Sequence, residues 1–353
     1  MPATRSIFSV VHTESSLGWG GQERRIVFEM ERFRDLGHRV RLAAAPRSEI
    51  ARRARQRGIE VREYSFERSR WPRELPQLRQ MLREFSPEVL ATHSSRDGWM
   101  AGLAGAWAGV PLRLKYRHVS VPVGAGPLNW WNYRGLHHGV VTTSAQIADS
   151  IREKFRLPPE RVSVIPTGVD LEKFDPNGAR LDLKRELKIP NDSRLLGIVS
   201  VLRSWKGHVH LIRAVAALNR PDVYLAIIGE GGQRENLENL VVDLGLEQRI
   251  FFLGERDAAG ALRGLDLLVL PSTQKEGIPQ IVLQAFASGV PVVGSDIDGI
   301  REVLTEERGW LALPGDSQAL ADVLAQALDQ PAESQKRAAA ALEYARVAHS
   351  AER

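Results

Sequence analysis

Short apolar stretches separated by helical segments recur along the whole chain, and this rhythm restricts the fold more than any other feature. "SIFSVV", "RVRLAAA", "VLATHSS" and "VPLRLKY" carry it through the first half; "LLGIVSVL", "VYLAIIGEG", "IFFLG", "LLVLPS" and "PVVGS" repeat it more cleanly in the second. Strands this short, set between amphipathic helices, predict parallel sheets covered on both faces. At 353 residues there is room for two such units. The expected fold class is therefore α/β, two Rossmann-like doubly wound domains facing a cleft, with ligands at the carboxyl ends of the strands. Proline, glycine and asparagine cluster in "IPTGVDLEKFDPNG", which places the boundary between domains 1–168 and 169–353. After Ala319 the chain reads as helix, including an alanine-rich "QKRAAAALEYARVA", and this final helix is free to pack back on the N-terminal domain.

Charge separates the two halves. Residues 1–170 carry 27 Lys and Arg against 17 Asp and Glu, whereas the remainder carries 21 against 26. Arginines crowd residues 24–83, as in "RRARQR"; they read either as a solvated helix face or as a surface that attracts phosphates on a substrate or an anionic membrane. No recognition motif or stacking platform accompanies them, so nucleic acid is not expected as a partner. The absence of cysteine removes disulfides, thiol nucleophiles and thiolate metal sites. No apolar run is long enough to span a membrane, and the first residues lack a signal-peptide layout. The expected location is cytoplasmic, with the inner membrane face as a possible station.

Four loops carry candidate chemistry. In "HTESSLGWGGQER", Gly20 and Gly21 let backbone approach a ligand at a helix start, and Glu23 reads equally as a first-turn helix acid or as a ligand. In "SVLRSWKGHVHL", Arg203 and Lys206 flank a turn closed by Gly207, and two cations at a strand end suit a pyrophosphate. "AIIGEGGQRENL" brings Gly229, Gly231 and Gly232 to another strand end. In "QKEGIPQIVLQAFASGVPVVGSDIDG", the Gly277–Ile278–Pro279 turn precedes a helix whose amides can hold a phosphate or sugar hydroxyls; Glu276 can accept from a sugar, and Gln284 lies about two turns further on.

The order GG-x-E, "RVSVIPTGVD", a basic K-G turn, "IIGEGG" and "EGIPQIVLQAFASGVPVVGSDIDGIREV" resembles the retaining GT-B glycosyltransferases of family 4, over nearly the whole chain, and more narrowly their lipopolysaccharide-type branch. The resemblance implies a nucleotide-diphosphate sugar as donor, a glycan or lipid-linked acceptor and no resident cofactor or metal. It implies that Glu276 meets the sugar and Gln284 the ribose. It also places a histidine near the reacting sugar, which His118 in "LKYRHVSVPV" matches, with His93 in "LATHSS" at the preceding strand end. Arg203 and Lys206 would stabilise the departing diphosphate. Two departures stand out: the family carries an acid where Gln284 stands, and often an arginine where Val201 stands. An amide cannot accept from both ribose hydroxyls as a carboxylate does.

Other readings remain open from the residues. Asp296 and Asp298 have the D-x-D spacing of metal-dependent transferases, but they follow a late strand and read as a loop. His208 and His210 lack a supporting carboxylate, so no metal is expected. Trp130, Trp131, Tyr133 and Arg134 suit either a membrane or acceptor surface or a helix packed into the N-terminal core, with the core favoured. A sugar-nucleotide epimerase and a non-catalytic binding protein are the alternatives to a transferase.

Overall fold

The computed structural model describes residues 7–118, 123–124, 126–274 and 276–350. The chain divides into two compact units, Met1–Ile165 and Pro166–Arg353, three residues from the boundary expected from the turn-forming cluster.

The first unit contains a seven-stranded parallel sheet: β1 (Ser9–Glu14), β2 (Arg39–Ala44), β3 (Glu60–Glu63), β4 (Val89–Thr92), β5 (Leu112–Arg117), β6 (Gly139–Thr142) and β7 (Val162–Val164), in the order β3-β2-β1-β4-β5-β6-β7. The second contains β8 (Arg194–Val199), β9 (Val223–Ile228), β10 (Ile250–Gly254), β11 (Leu267–Leu270), β12 (Val292–Ser295) and β13 (Trp310–Ala312), in the order β10-β9-β8-β11-β12-β13. In each sheet the strand order reverses beside the first strand, between β1 and β4 and between β8 and β11. A crevice opens at such a switch point because successive crossovers leave toward opposite faces.

Helices cover both faces. In the second unit one core layer joins Val282, Leu283 and Phe286 to Leu268 and Leu270, and the other joins Leu211, Ile212 and Val215 to Ile227 and Val269. Alternate residues of β11 thus point into opposite layers, as the pleat requires. All four of its residues are buried, the burial expected of a central parallel strand. The edge strands β3, β7 and β13, and the half-polar β6, are not evident in the sequence, because three or four residues are too few to show a period.

The C-terminal helical run is two helices, Ser317–Asp329 and Pro331–Ala348, broken where Pro331 starts a new first turn. The last one packs on the helix Gln280–Ala287 of its own unit, where Ala341 and Ala345 are fully buried. Its end is fastened to the start of that unit by Val169 N–H donating to His349 O (2.7 Å) and by His349 Nδ1 against Thr167 O (2.9 Å).

Candidate active site

In the second unit, four loops at the carboxyl ends of β8, β9, β11 and β12 pack directly on one another, and glycine makes each contact possible. Gly207 has φ +77°, and a Cβ there would stand 1.8 Å from Pro271 O. A Cβ on Gly229 (φ +135°) would meet Ser200 O at 2.0 Å, and one on Gly231 would meet Leu202 O at 2.5 Å. A Cβ on Gly299 would meet Glu276 O at 2.2 Å and Gly277 O at 2.5 Å. Backbone hydrogen bonds lock the same loops: Leu202 N–H to Glu230 O (3.0 Å), Gln233 N–H to Leu202 O (3.2 Å) and Thr273 N–H to Trp205 O (2.8 Å). The glycines in the β9 and β12 loops are therefore packing surfaces for the cation turn and the Glu276 loop.

This packing brings Lys206 and Glu276 together across 70 residues of sequence. The ammonium donates to both carboxylate oxygens, at 2.9 and 2.8 Å, and Ser272 Oγ also donates to Glu276. The pair is largely shielded, with side-chain exposures of 21% and 11%, so its attraction is screened less than that of a surface pair. The residues expected to serve the diphosphate and the sugar are thus direct neighbours. Arg203 is exposed, its guanidinium 5.1 Å from the Trp205 ring centre. Gly277 and Ile278 form the bend before Pro279, which is the N-cap of Gln280–Ala287. Gln284 sits half-buried on that helix.

In the first unit, β1 is buried at all six positions although it reads Ser-Val-Val-His-Thr-Glu. Buried polar groups require partners, and these identify the site. Thr13 Oγ1 donates to Asp97 Oδ2 at 2.7 Å; Asp97 also accepts from the backbone N–H of His93 (2.9 Å) and Ser94 (3.0 Å). Glu14 accepts from Ser94 Oγ (2.6 Å), Ser16 N–H (2.8 Å) and Gln22. Burial, reinforced by the negative charge of Asp97, pushes the Glu14 carboxyl up to about 7. Burial likewise raises Asp97 and lowers Lys115 to about 8, the two opposite charges partly offsetting it.

His12, His93 and His118 form a row across the carboxyl ends of the adjacent strands β1, β4 and β5. His12 Nδ1 lies 2.9 Å from His93 Nε2, and His93 Nδ1 lies 2.9 Å from His118 Nε2. Successive ring centres are 5.2 Å apart and nearly coplanar in orientation, at 10° and 21°, a separation close to the strand spacing of a sheet. Burial lowers all three, His12 to about 4 and the other two well below the usual imidazole range. Both His93 ring nitrogens are engaged by protein, Nε2 facing His12 and Nδ1 facing His118.

Gly20 and Gly21 start the helix Gly21–Asp35, and Glu23 closes its first turn by accepting Gly20 N–H at 2.8 Å, so of its two readings the helix acid holds. Among the described residues a Cβ on Gly21 would meet nothing within 4 Å.

Trp130 and Trp131 correct the core reading: each is 46% exposed, and the buried aromatic of that stretch is Tyr133, stacked on Phe155 at 4.2 Å. Residues 121, 122 and 125 of the stretch lie outside the described residues. Many arginines of residues 24–83 face carboxylates, for example Arg41 with Glu60 and Arg55 with Glu63. Asp296 is held by Arg301, and among the described residues no group of His, Asp and Glu is arranged to hold a metal.

Sequence reasoning missed His12, Glu14, Asp97, Lys115, Ser272 and Gly299. A signal existed for Asp97, three residues after Ser94 in capping-box spacing. Another existed for β1, whose apolar run ends in His-Thr-Glu.

Comparison with known proteins completes the picture. Residues 179–346 match the family described as Glycosyl transferases group 1, and residues 19–173 match Glycosyltransferase Family 4. A D-inositol 3-phosphate glycosyltransferase of Corynebacterium urealyticum is 32% identical over 54% of this chain and 48% of its own length. A UDP-Gal:alpha-D-GlcNAc-diphosphoundecaprenol alpha-1,3-galactosyltransferase of Escherichia coli is 29% identical over 63% of this chain and 61% of its own length. The chain spans about half the length of the curated relatives it matches. Anabaena HepE, solved in complex with UDP-glucose, shares the fold with a TM-score of 0.82 at 21% identity, over 97% of this chain and 96% of that one. With both domain families matched in sequence and the two doubly wound sheets of the GT-B fold in place, the chain belongs to the group 1, family 4 glycosyltransferases.

Proposed function

We propose that the protein is a retaining glycosyltransferase that moves a sugar from a nucleotide-diphosphate sugar to a glycan or lipid-linked acceptor, without a metal or resident cofactor. The observation that carries this reading is the shielded Lys206–Glu276 pair, set among interlocked loops at the carboxyl ends of β8 and β11. A diphosphate approaching Lys206 takes over part of that ammonium's hydrogen bonding and frees one Glu276 oxygen to accept a sugar hydroxyl. Arg203, exposed beside Trp205, adds a second cation for the charge that grows on the leaving group. The backbone of Gly277, Ile278 and Pro279 presents the sugar, and Gln284 offers the ribose one acceptor and two donors.

In the transfer, the bond from the anomeric carbon to the diphosphate breaks and the bond to the acceptor oxygen forms on the same face. The acceptor's proton passes to the departing phosphate oxygen. His118, with the close-approach turn at Gly20 and Gly21, serves the reacting sugar. The curated relatives include enzymes that act on an inositol phosphate and on a diphosphoundecaprenol-linked sugar. Together with the excess of basic residues in the first unit, this favours an acceptor carried on lipid, as in cell-surface or lipopolysaccharide-type glycan synthesis, reached from the cytoplasmic side by peripheral contact with anionic lipid.

The test is thermal-shift titration against UDP-, GDP-, ADP-, TDP- and CMP-linked sugars in EDTA, followed by an acceptor screen with the donor that binds. The expected result is a raised melting temperature with one donor, lost in Lys206→Met and Glu276→Gln, and transfer with retained anomeric configuration. Donor binding without transfer to any acceptor would favour the binding-protein reading; donor conversion without acceptor would favour an epimerase.

A further inference from the structure

The histidine row contains a polarity. A neutral imidazole carries one N–H and one lone pair, so each ring-to-ring hydrogen bond forces the tautomer of the next ring. Only two arrangements satisfy both bonds. In one, every ring is protonated at Nδ1: His12 donates to His93, His93 donates to His118, and His118 is left with an Nδ1–H. In the other, every ring is protonated at Nε2, and His118 is left with a lone pair at Nδ1.

The far end of the row decides between them. Among the described residues His12 Nε2 is buried without a hydrogen-bond partner, and His12 as a whole is 0% exposed. The first arrangement leaves a lone pair there; the second leaves an N–H. Orphaned buried N–H groups are rarer in folded proteins than under-satisfied acceptors, as the backbone shows, which favours the first arrangement. Burial first, then the charges of Arg25 and Lys115 around His93 and of Arg25 and Arg117 around His118, oppose a third option in which a ring takes a second proton.

We infer that His12 and His93 are positioning residues that hold His118 in the Nδ1–H tautomer, so that His118 offers its ligand a hydrogen-bond donor and has no free lone pair. The row reads outward: the buried dead end at His12 fixes His93, and His93 fixes His118. His118 Nε2 is occupied as an acceptor, so His118 cannot remove a proton from an acceptor hydroxyl. Its ligand must supply an oxygen lone pair, as a sugar hydroxyl or a carbonyl does. The inference rests on the glycosyltransferase reading for the identity of that ligand, but the tautomer belongs to the ligand-free chain.

The experiment is ring-nitrogen NMR on the full ligand-free chain with nitrogen-15 histidine, the three rings assigned by single substitutions. The expected result at pH 7.5 is a protonated-type Nδ1 and a lone-pair-type Nε2 on His118 and on His93. A protonated Nε2 on His118 would overturn the inference. In His12→Phe, whose side chain cannot donate to His93, the His118 signals should shift toward a tautomer mixture. In His12→Asn, whose amide N–H can stand where imidazole Nδ1–H stood, the native pattern should return. His118 signals that stay native in His12→Phe would also overturn it. Should His12→Phe fail to fold, the wild-type and His12→Asn spectra still decide. Loss of transferase activity alone leaves the tautomer result intact, so failure of the functional reading and failure of this inference are separable.

Discussion

Replacing Gly299 by alanine tests how the Glu276 loop is held. Gly299 lies in the short helix Asp298–Arg301 with an ordinary negative φ, so alanine there suffers no backbone strain. On helix propensity alone it should gain up to about 1 kcal/mol. The obstacle is steric: the new Cβ would stand 2.2 Å from Glu276 O and 2.5 Å from Gly277 O, whereas carbon and oxygen sit about 3.3 Å apart or more even in close contacts. The loop must therefore retreat by about 1 Å. Overpacking of this kind costs about 1–3 kcal/mol, so the net destabilisation is about 0–3 kcal/mol and the fold survives. The functional cost is larger, because the retreat displaces the backbone of Glu276, and a 1 Å misplacement can lower a rate by about 100-fold. The assay pairs thermal unfolding with transfer kinetics using the donor that binds wild type. The expected outcome is a melting temperature within about 10 °C of wild type and kcat/KM reduced by about 10- to 100-fold. Gly232→Ala serves as the control, since a Cβ there meets nothing within 4 Å, and it should change neither quantity appreciably. Native kinetics in Gly299→Ala would refute the claim that this contact positions Glu276.

Two further outcomes are expected. Gly21→Ala adds a methyl group that touches no atom of the described residues within 4 Å at a helix start, so stability should hold or rise by a few tenths of a kcal/mol; a fall in activity of 10-fold or more would show that a ligand approaches this backbone, and full activity would remove Gly21 from the site. Glu14 gives a pH signature: its folded-state value is raised from 4.5 to about 7, so the folded state holds a proton that the unfolded state releases, and its contribution is complete below about pH 4.5 and lost as pH rises through 7. Glu14→Gln should remove that decline, at most about 3 kcal/mol between pH 4.5 and 7, in denaturant titrations run at several pH values; an unchanged pH profile would contradict the buried, proton-holding state of Glu14.

The sequence by itself determined the fold class, two doubly wound α/β units, and the strand-end loops that stand out in the second of them. Parallel strands covered on both faces are mostly apolar, so β8, β9, β11 and β12 announce themselves, and the loops that end β8 and β11 concentrate their polar residues in short contiguous stretches, Arg203–Gly207 and Glu276–Pro279. What only the tertiary structure decided is which of those residues touch. Lys206 meets Glu276 across 70 residues because Gly207 lets the cation turn rest on Pro271, a contact with no trace in either local pattern. His12 and His93 stand 81 residues apart in sequence, and His93 and His118 stand 25 apart. They become neighbours because β1, β4 and β5 lie side by side, and strand order is fixed by crossover packing rather than by any strand's own residues. A lone histidine at the end of an apolar strand carries little meaning in sequence; three of them at sheet spacing, with one nitrogen stranded in the core, determine which proton the last one presents.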